Sequence, residues 1–184
     1  MISYKNYDGT RETPDLDYSL SGLIGSEIIA LTNWISKFKS SNVGNQFIDI
    51  SNISFNGFTA SNYFLEPVKM LTAYINAMPI VARFNGGNKI YDGTSAPSAL
   101  LWTTSGMVNN EIITVGNFVS RYANSNAGIQ RIDISNVILS GLTSPNYYLM
   151  PVNPIMGTIS QKDITATFSG GTKLYDSTRF TGPL

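Results

Sequence analysis

The sequence predicts an all-β protein built from tandem sandwiches, and three observations carry that expectation. The segment Asn85-Gly86-Gly87-Asn88-Lys89-Ile90-Tyr91-Asp92-Gly93-Thr94 returns as Ser169-Gly170-Gly171-Thr172-Lys173-Leu174-Tyr175-Asp176-Ser177-Thr178, and its second half opens the chain as Tyr7-Asp8-Gly9-Thr10. The three tyrosines stand 84 residues apart each time, so the repeat length is kept without insertion or deletion. Self-similarity at a fixed period marks a repeat architecture. Between these marks, apolar residues come in short strand-like runs punctuated by Gly, Asn and Pro, with no helix of conventional length.

A period of this size suits an immunoglobulin-like β-sandwich, small but able to bury its own core. The predicted division is residues 1–76 for a first repeat that lacks its first strand, residues 77–160 for a second repeat, and residues 161–184 for the leading strand and turn of a third.

The elements follow in order. Residues 79–84 and 163–168 are alternating and β-branched, and each reads as the first strand of its repeat. The Tyr-Asp-Gly-Thr segment is a sharp turn in which Asp bonds its own downstream backbone and Gly accepts a positive φ. Ser177 replaces that glycine in the third copy, which suggests a weak need for positive φ there. Residues 23–31 and 107–115 each read as a turn feeding a strand, with Glu27 and Glu111 as matched solvated edge charges. Trp34, Ser36 and Phe38 lie at period two and match Phe118, Ser120 and Tyr122, giving half-buried strands with an aromatic inner face. The apolar phase slips between Ile48, Ile50 and Ile53, Phe55, so a bulge or a crossing between sheets is expected at Ser51-Asn52 and again at Ser135-Asn136. Gly57 and Gly141 mark the next turn, before Asn62-Tyr63-Phe64-Leu65 and Asn146-Tyr147-Tyr148-Leu149, which open the last strands; Pro67 and Pro151 then fit a strand edge or end.

Composition excludes several functions. Histidine and cysteine are absent, which removes the commonest general base, the commonest metal ligand, every thiol nucleophile and any disulfide. Twelve basic and twelve acidic residues cancel without a basic cluster, so nucleic acid is not an expected partner. No run reaches the ~20 apolar residues of a membrane-spanning helix, and the first five residues do not resemble a signal peptide. Charged residues make up 13% of the chain, against about 25% in ordinary globular proteins, and Asn, Ser and Thr supply the hydrophilic surface in their place.

Lys89-Ile90-Tyr91-Asp92-Gly93-Thr94, Phe118, Asn126-Ala127-Gly128, Ile132-Asp133-Ile134-Ser135, Leu139-Ser140-Gly141 and Asn146-Tyr147-Tyr148-Leu149 follow one another in an order that resembles the YDG and MBG repeats. These are immunoglobulin-like modules found in tandem in large bacterial surface adhesins of the filamentous-haemagglutinin type. The resemblance implies a stalk or adhesive module outside a cell, with no catalytic, cofactor or metal-binding residues to carry over. The many asparagines and few charges also suit a phage or large-virus structural protein carrying the same module on a virion surface.

The ends carry one further expectation. A sandwich missing an edge strand exposes unpaired backbone groups and part of its core. Asp163, Ile164, Thr165, Ala166, Thr167 and Phe168 are therefore a candidate donor strand for the first repeat of a second copy, a head-to-tail contact that would propagate into a filament. The alternative is that these residues and the missing strand belong to neighbouring repeats of a longer chain. The expected function is a structural module of a surface fibre, stalk or filament. The competing reading is an adhesive module whose exposed Tyr, Trp and Asn contact glycans or a host protein, and an enzyme ranks last for want of a paired-carboxylate cleft.

Overall fold

The structure, a computed structural model, describes residues 4–179. Residues 1–3, assigned above to the opening of the first repeat, and residues 180–184, assigned to the end of the partial third, lie outside the described residues. The fold is all-β. In chain order the strands are β1 (Tyr4–Asn6), β2 (Ala30–Phe38), β3 (Gly44–Asn56), β4 (Leu71–Asn76), β5 (Met78–Gly86), β6 (Lys89–Ile90), β7 (Leu100–Ser105), β8 (Thr114–Tyr122), β9 (Gly128–Ser140), β10 (Tyr147–Leu149) and β11 (Ile155–Ser160). Among the described residues helical geometry is confined to two short 3-10 turns, Ala60–Asn62 and Ser144–Asn146. Among them, too, no helix is long and apolar enough to cross a membrane.

The second repeat is a complete sandwich. One sheet has the order β10-β5-β7 and the other β6-β11-β9-β8. Alternation along β5 turns Ile80, Ala82 and Phe84 inward. Ala82 and Phe84 cluster with Val115 against Leu100, Trp102, Phe118, Ile134, Leu149 and Val152. The Phe84 and Phe118 rings meet edge to face at 5.0 Å and tie the two sheets together. Each buried aromatic or large aliphatic side chain of this kind contributes about 1.5–3 kcal/mol relative to exposure.

Among the described residues the first repeat has the second of those sheets in the same strand order, β1-β4-β3-β2, but not the first. Residues 16–21 and 63–65, which stand 84 residues before β7 and β10, form no strand. The absent strand is therefore not an edge strand, as a trimmed sandwich suggests. It corresponds to β5, the middle of its sheet, parallel to β10 and antiparallel to β7. Without it both flanking segments lose the partner for their backbone groups, and neither becomes a strand.

The phase slip of the central strands is a bulge and not a crossing, since β3 and β9 each run unbroken for 13 residues. Asn33 pairs with Ser54 and Ile35 with Ser51, so two steps on β2 face three on β3; Asn117–Ile138 and Val119–Ser135 repeat the pattern. The surplus residue is accommodated by Asn52 at φ 51° and Asn136 at φ 52°, a left-handed conformation that asparagine adopts more readily than most residues. Burial then follows period two as expected: Phe38 and Tyr122 are buried, Trp34 and Phe118 half-buried, and Lys37 and Arg121 exposed.

The Tyr-Asp-Gly-Thr turn is closed by a lysine three residues before the aspartate. Asp92 Oδ1 accepts from Thr94 N–H and Thr94 Oγ1, both at 2.8 Å, while Lys89 Nζ reaches Asp92 at 2.6 Å and Thr94 O at 2.7 Å. Lys5, Asp8, Thr10 and Lys173, Asp176, Thr178 build the same turn. Lys89 beside it holds the Asp92 carboxyl down at about 2. Ser177 does not relax the backbone requirement: its φ is 60°, against 74° at Gly9 and 80° at Gly93, so serine takes the strained conformation because the closed turn imposes it.

Residues 163–168 form no strand and are exposed, with Ile164 95% and Phe168 83% accessible. Their sequence matches β5, but strand geometry needs a partner, and this segment has none in the single chain.

Candidate functional site

Two features of the first repeat stand out, an open groove and one half of a joint. The groove has a volume of about 300 Å³; its apolar lining is Leu16, Tyr18, Leu31, Trp34, Ile50, Ile53, Leu65, Val68 and Leu71, beside Asp17, Ser19, Leu20 and Lys69. Shifted by one period these become Leu100, Trp102, Val115, Phe118, Ile134, Val137, Leu149, Val152 and Ile155, and all nine belong to the cluster around Ala82 and Phe84. The groove is thus the bed of β5 without β5. Its walls are correspondingly open: Leu65, Leu71 and Tyr18 are 39%, 41% and 47% exposed. Leu20 and Leu65 continue it into a smaller recess with Leu23, Ile29 and Phe55.

The joint connects the repeats. Only Ala77 separates β4 from β5, so the last strand of the first repeat runs directly into the middle strand of the second. Tyr7, Phe38, Ile48, Ala73 and Ile75 from the first repeat and Ile80, Ile113 and Tyr147 from the second form one continuous apolar cluster. At its polar margin Glu111 accepts three hydroxyl hydrogen bonds, from Tyr7 at 2.6 Å, Thr143 at 2.7 Å and Tyr147 at 2.7 Å. The Tyr7 and Tyr147 rings meet edge to face at 5.5 Å. Asn146, buried, accepts from Val43 N–H at 2.9 Å and donates to Asn42 Oδ1 at 3.3 Å. Asn109 donates to Asp8 O at 2.8 Å.

The charges follow from this geometry. Burial works to raise the Glu111 carboxyl, yet the hydroxyls of Tyr7, Thr143 and Tyr147 outweigh it and hold the group below the ordinary carboxylate value. Tyr7 is pushed up to about 12, by burial first and by the Glu111 carboxylate second. The joint therefore locks a charged acceptor between neutral donors, the arrangement in which hydrogen bonds are strongest.

Reading Glu27 and Glu111 as solvated edge charges is corrected by these contacts: both are half-buried and hydrogen-bonded. A lone glutamate before a strand carries no such signal, because the tyrosine that most defines the Glu111 site lies 104 residues away. What could have found it is the joint recurrence of Glu27, Thr59, Asn62, Tyr63 and Glu111, Thr143, Asn146, Tyr147 at one period. The candidate donor residues Asp163, Ile164, Thr165, Ala166, Thr167 and Phe168 are not brought to the groove within the chain and remain exposed.

Sandwich, repeat period and joint define a tandem β-repeat protein. The YDG domain matches the chain twice, over residues 2–70 and again over 78–155, and the chain belongs to that family. Comparisons with curated proteins and with solved structures find no match.

Proposed function

We propose that the chain is a non-enzymatic structural module of a surface fibre or stalk, outside a cell or on a virion, in which each sandwich is completed by a strand entering from the neighbouring repeat. The observation that carries this reading is the groove of the first repeat, nine of whose lining residues match the bed of β5 position by position. The single-residue link at Ala77 supports it, since a strand that leaves one repeat as β4 enters the next as β5. Residues 161–168 leave β11 in the same way, and Ile164, Ala166 and Phe168 carry the inward pattern of Ile80, Ala82 and Phe84. On this reading two copies join head to tail by strand addition, backbone pairing supplying affinity and alternate side chains supplying fit. The adhesive alternative draws less support, because the matched aromatics Phe38, Phe118 and Tyr122 turn toward the interior and Trp34 lines the groove assigned to the strand.

Light scattering on the 184-residue chain over a concentration series tests the reading. A mass that climbs through dimer and beyond, and falls to one copy when Ala166→Asp places a charge against the apolar side chains that line the groove, is expected. A single-copy mass at every concentration would overturn strand addition between copies.

A further inference from the structure

The joint between the two repeats is half-built a second time at each end of the molecule. At the open end of the first repeat, Glu27 already accepts from the Tyr63 hydroxyl. That hydroxyl accepts in turn from Ile24 N–H at 3.0 Å, as the Tyr147 hydroxyl does from Val108 N–H at 3.0 Å. Thr59 and Asn62 occupy the positions of Thr143 and Asn146. The Glu27–Tyr63 part of the joint is thus preformed, and among the described residues no hydroxyl reaches Glu27 from the places of Tyr7 and Thr143.

The far end of the second repeat presents that tyrosine. Tyr91 is one period from Tyr7 and donates its backbone N–H to Ser160 O at 2.8 Å, as Tyr7 does to Asn76 O at 2.8 Å. Tyr7 inside the joint is 3% exposed, whereas Tyr91 is 41% exposed. Asn126 and Ala127 occupy the places of Asn42 and Val43. The exposed segment 161–168 leaves β11 immediately after Ser160, from this same end of the repeat. Two contacts are not reproduced among the described residues: Thr59 makes no hydrogen bond to Glu27 as Thr143 does to Glu111, and Asn109, which donates to Asp8 O, corresponds to Gly25, which has no side chain to donate.

We propose that the partner of this surface is the second repeat of another copy, and that Tyr91 of that copy donates to Glu27 in an intermolecular duplicate of the Tyr7–Glu111 bond, with Asn62 accepting from Ala127 N–H. This rests on the strand-addition reading but assigns a different part of the contact. The strand fills the groove, and the Glu27–Tyr91 pair sets its register and selects an end face that bears a tyrosine. A strand displaced by two residues would keep its apolar face inward but would carry Tyr91 away from Glu27. Burying without a donor the Glu27 oxygen that Tyr63 does not serve is costly, so the displaced register is disfavoured.

Sedimentation equilibrium on the full chain, with Tyr91→Phe, Glu27→Gln and Ala166→Asp measured alongside, separates the two parts. Tyr91→Phe removes one hydroxyl from an exposed ring, so the monomer's melting temperature stays unchanged while the association constant falls about tenfold or more. Glu27→Gln weakens association similarly, and the double variant is little worse than either single one, as expected when both remove the same bond. If Tyr91→Phe and Glu27→Gln associate as tightly as the unaltered chain while Ala166→Asp stays monomeric, the joint is overturned and strand addition stands. If Ala166→Asp associates as the unaltered chain does, or nothing associates, the underlying reading fails with it.

Discussion

The phenol of Tyr7 donates to Oε1 of Glu111 at 2.6 Å across 104 residues of chain and across the boundary between two repeats. Tyr147 and Thr143 donate to the other oxygen of the same carboxylate. Removing the first donor leaves a half-buried charge with one oxygen unserved, and hydrogen bonds to charged groups are worth ~1.5–3 kcal/mol. Tyr7→Phe is therefore expected to lower unfolding free energy by about that amount at neutral pH, measured by urea denaturation.

The same pair sets a pH dependence with two limbs. The Glu111 carboxyl titrates below its ordinary range in the folded state. Its contribution is thus complete above the unfolded value of about 4.3 and is lost as pH falls through the folded value. Tyr7 is raised to about 12. Its contribution is complete below the unfolded value of about 10 and disappears as pH climbs from there toward 12. Thermal midpoints recorded from pH 3 to pH 12 should form a plateau that declines at both ends. Glu111→Gln should flatten the acid decline, and an acid limb unchanged in that variant would assign it to other carboxylates.

Gly141 lies where a side chain has no room. Its φ is 138°, and a Cβ would stand 2.5 Å from the Ile112 carbonyl oxygen and 3.1 Å from Ile113 Cδ1. Backbone cannot yield as a flexible side chain does, and overpacking costs typically ~1–3 kcal/mol. Gly141→Ala should lower the melting temperature by several degrees, while Gly170→Ala, which meets nothing within 4 Å, should leave it unchanged.

At the bulge, Asn136 holds φ 52°. Left-handed backbone costs most L-residues about 1–2 kcal/mol, and glycine very little. Asn136→Ala is expected to destabilise by roughly 1 kcal/mol and Asn136→Gly by less than half of that, a ranking that chemical denaturation of the two variants reads directly. Equal losses would mean that the asparagine side chain, and not its φ, is what the position needs.

Legibility in the sequence followed the range of the interactions involved. The period carried by Tyr7, Tyr91 and Tyr175, the inward stripe of Trp34, Ser36 and Phe38, and the slip at Ser51-Asn52 are local patterns, and each appears in the fold as expected. Strand order is not local. The place of β5 between β10 and β7 depends on pairings with residues about 20 and 70 positions away, so the gap in the first repeat looked like a missing margin when it is a missing middle. The role of Glu111 was hidden for the same reason, as its partners are assembled by the meeting of two repeats. Ser177 misled in the opposite direction: a residue type was taken to report the backbone, when the lysine-closed turn dictates φ whichever residue is there.

The lone residue Ala77 between β4 and β5 has a mechanical consequence. Each of these strands lies inside its own sheet, β4 flanked by β1 and β3 and β5 by β10 and β7. A pull along the chain therefore enters both sheets through their interiors and loads the flanking ladders in shear, many bonds sharing the tension at once. Under stretch the two units act as one continuous cable with no slack to draw out between them.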